Sequence, residues 1–289
     1  MAVAGRSLQD PAGAALAQAV RWWPVSSAEV NGGRAVQTPV VDLGDGPPLL
    51  LLHGFDSCFL EFRRLAPALR QQGYRLIIPD LYGFGFCERP AHSDFTPALV
   101  VEHLAALLQQ LDGPVSLIGA SMGGAVAVAL ARRCPDAIKA LLLLSPAGLT
   151  GRPMPLPPGL DRIGVAFLAQ QWVRNRLCRQ AFADPDRLVN EAALEIASLH
   201  LRAPGWAEAL RRFSRSGGYA GNGAPLPGQP LRALWGCQDR ILRPPQRRAA
   251  MALLGDRLEL VEQCGHLPHL EQVPRVVAAL MALLPMGAG

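Results

Sequence analysis

Ser121 stands at the centre of Gly119-Ala120-Ser121-Met122-Gly123, directly after the apolar run Val115–Ile118 and directly before a long Ala/Val/Leu segment. A serine hydroxyl becomes a useful nucleophile only where a base takes its proton and donors hold the oxyanion that its attack creates. Gly-x-Ser-x-Gly at a strand-to-helix junction supplies the geometry: a tight turn exposes the hydroxyl, and glycines stand where side chains would collide. The same turn aims the N–H of Met122 at the developing oxyanion. His266, in Gln263-Cys264-Gly265-His266, is the candidate base, and Asp239, in Gly236-Cys237-Gln238-Asp239, is the candidate acid. That carboxylate would fix the imidazole tautomer and stabilise the imidazolium as it forms. A second oxyanion donor is expected from the N–H of Phe55, in His53-Gly54-Phe55-Asp56. His53 is read as bracing that loop through hydrogen bonds and His269, near the start of the last helix, as structural.

These residues need elements to hold them. Leu49–Leu52, Tyr74–Ile78, Val115–Ile118, Leu141–Leu144, Leu231–Trp235 and Leu258–Val261 are short apolar runs bounded by turn residues, the pattern of buried strands. Two earlier strands are expected in Trp22–Val25 and Val36–Leu43, turning at Asn31-Gly32-Gly33, with a short helix ahead of them ending in the Trp pair. Helical stretches alternate with the later strands: Phe62–Gln72, closed by Gly73; Val100–Leu111, carrying Glu102 and His103 on its surface; the segment from Ser121 to about Arg133; and Val276–Leu284. Alternation of this kind builds a mostly parallel central sheet flanked by helices. Asp80, in the loop Pro79-Asp80-Leu81-Tyr82-Gly83-Phe84-Gly85, is expected to tie down that loop, which reads as a pocket wall because no phosphate-binding helix pattern follows it.

The alternation breaks after Leu149. Residues 149–229 read as an inserted helical cap, leaving 1–148 and 230–289 as the two parts of one α/β core. Phe167, Leu168, Trp172, Val173, Leu177 and Phe182 recur at helical spacing and are expected to pack mainly on the sheet, while forming an apolar substrate pocket over the nucleophile. Arg174, Arg176, Arg179, Arg211, Arg212 and Arg215 are expected to make the cap's outer face basic, read as a solvated surface in preference to a lipid-docking one.

The chain of 289 residues is half apolar, enough for one large domain with an insertion. Its net charge of +5 comes almost wholly from arginine, with Lys139 the only lysine, and no basic block is interleaved with aromatics, so nucleic-acid binding is not indicated. The six cysteines (58, 87, 134, 178, 237 and 264) lack metal-ligand spacing and read as reduced thiols, Cys237 and Cys264 as two inert buried ones. No run reaches membrane-span length, and the amino terminus lacks the pattern of a secretory signal, which points to a cytoplasmic protein. No metal or organic cofactor is required.

The order Ser121, Asp239, His266 is that of the α/β-hydrolases. A narrower resemblance runs from Leu49 to Pro274. Leu51–Ser57, followed by Cys58, Leu60, Glu61 and Phe62, resembles the oxyanion segment of the chlorophyll dephytylases, α/β-hydrolases that cleave the phytyl ester of chlorophyll. Asp80–Phe86 resembles their next loop and Ser216-Gly217-Gly218-Tyr219 a segment near the end of their cap. Cys264–His269 matches their Asn-Cys-Gly-His-Leu-Pro-His, with Gln263 in place of the Asn. The resemblance implies Ser121 as nucleophile, His266 as base, Asp239 as acid and Phe55 and Met122 as oxyanion donors. It also implies a chlorophyll-like ester substrate near His53, Gly54, Phe84 and Tyr219, and peripheral contact with a photosynthetic (thylakoid) membrane. Plant members carry a targeting extension that is not found here, which fits a cyanobacterium-like phototroph. The alternatives are a lipid-ester or C–C bond hydrolase with the same triad, and a binding protein on a hydrolase scaffold.

Overall fold

The structure is a computed structural model, described here for residues 8–284; the expectations for the extreme amino terminus lie partly outside that range. In chain order the elements are α1 (Pro11–Gln18), β1 (Val20–Val25), β2 (Val36–Leu43), β3 (Pro48–Leu52), α2 (Leu65–Gln71), β4 (Arg75–Pro79), α3 (Pro97–Leu108), β5 (Val115–Ala120), α4 (Met122–Arg133) and β6 (Ile138–Leu144). Five helices follow before the sheet resumes: α5 (Leu160–Leu168), α6 (Gln171–Ala181), α7 (Pro185–Leu188), α8 (Glu191–Leu199) and α9 (Trp206–Arg215). The chain then closes with β7 (Leu231–Gly236), α10 (Pro244–Leu254), β8 (Leu258–Val261), α11 (Pro268–Glu271) and α12 (Val273–Leu283).

The eight strands form one sheet in the order β1-β2-β4-β3-β5-β6-β7-β8. From β4 to β8 every pairing is parallel, and β2 pairs antiparallel with both β1 and β4. The uninterrupted leucines of β3 follow from burial on both faces. Leu50 and Leu52 join the apolar layer that includes α3 and α4, whereas Leu49 and Leu51 join the layer that includes α1, α2 and α12. Trp22 and Trp23 belong to β1 and do not end a helix, because β1 pairs with β2 from Val20 onward.

His103 is not on the surface as the sequence suggested. It is fully buried on α3, with Nε2 3.0 Å from Thr38 Oγ1 and its ring stacked on Tyr82. Burial pushes its imidazole down to about 4, so it stays neutral at pH 7. Among the described residues no helix is long and apolar enough to cross a membrane.

Candidate active site

The sheet delivers the site to the carboxyl ends of β3, β5, β7 and β8, where parallel strands leave a crevice. Ser121 joins β5 to α4 with φ 50° and ψ −118°, a conformation that L residues adopt only when their surroundings enforce it. The enforcement is visible at both glycines. A Cβ on Gly119 would lie 2.3 Å from the carbonyl oxygen of Gly123, and one on Gly123 would lie 2.1 Å from that of Leu52. Ser121 N–H donates to Leu144 O at 2.9 Å, and Ser121 O accepts from Ala147 N–H at 2.9 Å, which pins the turn to the end of β6.

His266 Nε2 lies 2.9 Å from Ser121 Oγ, and its Nδ1 lies 2.9 Å from Asp239 Oδ2. The other Asp239 oxygen accepts the N–H groups of Ile241 (2.8 Å) and Leu242 (3.0 Å). Burial works to raise this carboxyl, but the bond and charge of His266 and the two N–H donors outweigh it and hold the group below the ordinary carboxylate value. Asp239 is therefore ionised at neutral pH. His266 N–H donates to Ala181 O at 2.7 Å, and Glu271 accepts Gly265 N–H and Ala183 N–H, each at 2.8 Å. The histidine loop is thus clamped to the end of α6. Cys237 and Cys264 are free thiols, but only Cys264 is buried, which pushes its thiol up; Cys237, expected to be buried, is half-buried at the surface and its Sγ donates to Glu262 Oε1 at 3.1 Å.

Met122 opens α4, so its N–H is one of the first-turn donors without an intrahelical acceptor. Across from it, the backbone of Gly54 comes so close that a Cβ there would sit 3.3 Å from Ser121 Cβ. The loop that carries Gly54 and Phe55 is fixed by Glu61, to which the sequence reading gave no role, and by His269, which it read as structural. Gly54 N–H donates to the buried Glu61 at 3.1 Å, and His269 Nε2 lies 3.2 Å from the other Glu61 oxygen. Burial opposes the Glu61 charge, but His269 and His53 outweigh it and bring its carboxyl down to about 2.

His53 braces the same loop. Leu81 N–H donates to its Nε2 at 3.0 Å, so the proton sits on Nδ1, which donates to Gly54 O at 2.8 Å. Asp80 ties the neighbouring loop by accepting Phe59 N–H (2.7 Å) and Phe86 N–H (2.6 Å), with burial raising its carboxyl to about 7.

Phe55 and Met122 line a cavity of about 290 Å³ together with Ala147, Leu156, Phe213 and Tyr219. None of the side chains around it is charged. Tyr219 is anchored through its hydroxyl, which donates to Pro97 O at 2.8 Å. His53, Gly54 and Phe84, expected at the substrate surface, are not in the cavity lining. His53 is fully buried between loops, Gly54 is committed to its turn, and Phe84 stands behind the wall, 5.8 Å from the Phe55 ring and 5.0 Å from that of Phe213.

Asp56 carries a cluster that the sequence did not reveal. Its carboxylate lies 2.6 Å from Arg174 Nη1, 3.0 Å from His200 Nε2 and 2.8 Å from Trp206 Nε1. The basic outer face expected from the arginines is correspondingly reduced. Arg174 is buried in this cluster, Arg211 and Arg215 pair with the buried Asp161, Arg212 pairs with Glu208, and Arg179 pairs with Asp186. Acidic partners drew these side chains inward or across the surface.

The sequence profile of the alpha/beta hydrolase family matches residues 49–280. The chain belongs to that family. It is 30% identical over 283 residues to "Alpha/beta hydrolase domain-containing protein VTE7" of Arabidopsis thaliana, an alignment covering 94% of this chain and 86% of that protein. It is also 30% identical over 272 residues to the 2-hydroxymuconate semialdehyde hydrolase of a Pseudomonas species, covering 87% and 93% respectively. Among solved structures, an esterase of Thermogutta terrifontis superposes with a TM-score of 0.74 over 92% of this chain and 98% of that one, at 24% identity, a likeness of fold. The hydrolase family and the mostly parallel sheet flanked by helices agree with the sequence reading.

Proposed function

We propose that the protein is a serine carboxylic-ester hydrolase that removes phytol from chlorophyll or pheophytin. The observation that carries the reading is a Ser121–His266–Asp239 relay opening beside an uncharged, largely apolar cavity. In this reading His266 Nε2 takes the Ser121 proton as Oγ attacks the ester carbonyl, and Asp239 stabilises the imidazolium through Nδ1–H. The N–H groups of Met122 and Phe55 receive the oxyanion, and collapse of the tetrahedral species expels the alcohol, which His266 protonates. Water then attacks the acyl-serine by the same route in reverse, returning free acid and enzyme. A branched hydrocarbon alcohol suits walls made by Phe55, Leu156, Phe213 and Tyr219, and a large ring system stays at the open side of the cavity. The sequence resemblance in Leu51–Ser57 and Ser216–Tyr219 supports this substrate class.

A second reading is cleavage of a C–C bond beside a ketone, favoured by the similarity to the 2-hydroxymuconate semialdehyde hydrolase. That substrate carries a carboxylate; no cation lines the cavity that Phe55 shares with Met122, and Arg63 and Arg174, which line a second cavity on Phe55, are already paired with Asp10 and Asp56. The ester reading therefore takes precedence. Incubating the protein with chlorophyll a in mild detergent, then partitioning between hexane and aqueous acetone, tests it. Green pigment entering the polar phase with the parent protein and not with Ser121→Ala is the expected result. Pigment retained in hexane while short acyl esters are hydrolysed would overturn the chlorophyll assignment and leave an ester hydrolase.

A further inference from the structure

Phe167 and Trp172 do not pack on the sheet as their helical spacing suggested, whereas Val173 and Phe182 are buried. Leu160, Ile163 and Phe167 follow one face of α5 and are 55%, 67% and 51% exposed, and Trp172, at the start of α6, is 58% exposed. Phe167 and Trp172 meet edge to face at 5.4 Å, so the exposed surface is continuous across the two helices. It is also continuous with the cavity beside Ser121. Leu156 lines that cavity and reaches within 4.0 Å of the position a Cβ would occupy on Gly164 of α5, and Met154, also in the lining, is 81% exposed. The remaining exposed large apolar side chains, such as Trp22 and Met251, lie on other elements.

Within the segment that carries this ridge the charge is almost all of one sign, while Glu191 and Glu195 stand beside the junction of α5 and α6. Between Leu149 and Ala183 the only acidic residue is Asp161, which is buried and held by Arg211 and Arg215. Arg152, Arg162 and Arg176 in the same segment are exposed and have no ion-pair partner among the described residues. An apolar helix face flanked by unpaired arginines matches the boundary between lipid chains and anionic headgroups. A self-complementary contact with a second copy would instead set these arginines against their own counterparts.

We propose that the ridge Leu160-Ile163-Phe167-Trp172 docks on an anionic lipid bilayer, with Met154 and Leu156 connecting the bilayer to the cavity beside Ser121. The inference deepens the ester-hydrolase reading, since it supplies the surface from which a water-insoluble ester reaches the site. Its test is a binding measurement that needs no turnover.

Flotation of the Ser121→Ala protein with phosphatidylcholine vesicles is compared with flotation on vesicles holding about 30% phosphatidylglycerol. Binding to the anionic vesicles is expected at least about 10-fold tighter, weakened by salt and lost with Ile163→Glu/Phe167→Glu. The emission of Trp172, isolated as the difference from Trp172→Phe, is expected to shift to the blue on the anionic vesicles. In the catalytically intact protein the same double glutamate change leaves hydrolysis of a short soluble ester within about two-fold, which reports correct folding. Equal binding by parent and double variant would overturn the proposal, as would equal binding to neutral and anionic vesicles. A concentration-dependent dimer abolished by the double change, without vesicle binding, would assign the ridge to a second copy instead. Should the double variant lose soluble-ester hydrolysis, the salt dependence and the Trp172 shift of the parent decide, and absence of both refutes docking.

Discussion

Two aspartates face histidine nitrogens at nearly the same distance, 2.9 Å between Asp239 and His266 and 3.0 Å between Asp56 and His200. In both, burial opposes the carboxylate charge and polar partners overcome it, so both carboxyls lie below the ordinary value. What differs is the other side of each imidazole. His266 Nε2 reaches a serine in a constrained turn, whereas His200 has its Nδ1 buried without a partner and no nucleophile beyond it. What differs too is the origin of the partners. Asp239 is held by backbone N–H groups of its own loop at the end of the sheet, while Asp56 is held by side chains from α6, α9 and the turn after α8. An Asp–His pair therefore leads to a serine hydroxyl in one place and fastens the sheet to the inserted helices in the other. The pair alone does not decide which.

Substitutions separate the two roles. Ser121→Ala is expected to lower kcat for any hydrolysed ester by at least about 10⁴-fold while leaving the urea midpoint almost unchanged, checked by steady-state rates beside equilibrium unfolding. Asp239→Asn, which favours the wrong imidazole tautomer, is expected to cost about 10³- to 10⁴-fold in kcat with KM little moved. Asp56→Asn should do the opposite. It leaves Arg174 buried with an incomplete partner and is expected to cost about 3 kcal/mol in unfolding free energy, with kcat reduced less than about 10-fold. A large loss of kcat with stability intact would place Asp56 in the catalytic machinery and collapse the distinction.

A further effect concerns pH. Burial depresses the imidazoles of His53 and His103 from 6.5 to about 4 in the folded protein. Between those values the unfolded chain binds protons that the folded chain does not. Stability is thus fully present above 6.5 and lost as pH falls towards 4, at most about 3 kcal/mol for each histidine. Asp80, raised to about 7, works the other way in the same window, so the test is a difference: urea midpoints of His103→Gln should fall less, or rise more, with decreasing pH than those of the parent. An unchanged slope in the variant would show that His103 takes a proton as readily folded as unfolded.

Much of the sheet and of the Ser121–His266–Asp239 arrangement was legible from sequence because each signal was local. The run Leu49–Leu52 needs burial on two faces, and Gly119 and Gly123 stand where a side chain meets backbone at about van der Waals overlap. His103 was legible and misread, because it shares a helical face with Val100, Leu104 and Leu107, all of which are buried. The Asp56 cluster was not legible. Its partners lie 118, 144 and 150 positions away, and a lone Arg or His in a half-polar helix carries no sign of a distant carboxylate. Phe167 and Trp172 were misplaced for a different reason. Their helical spacing shows that a helix has an apolar face, and says nothing of whether sheet or solvent covers it.

The central claim is that His266 and Asp239 make Ser121 a nucleophile. Labelling with a fluorophosphonate probe, with the adduct mapped by mass spectrometry of peptides, tests it directly. The account predicts one adduct, on Ser121, formed rapidly by the parent protein and lost in His266→Ala. Labelling of Ser121 that proceeds equally well without the histidine, or an adduct confined to another residue, would contradict it.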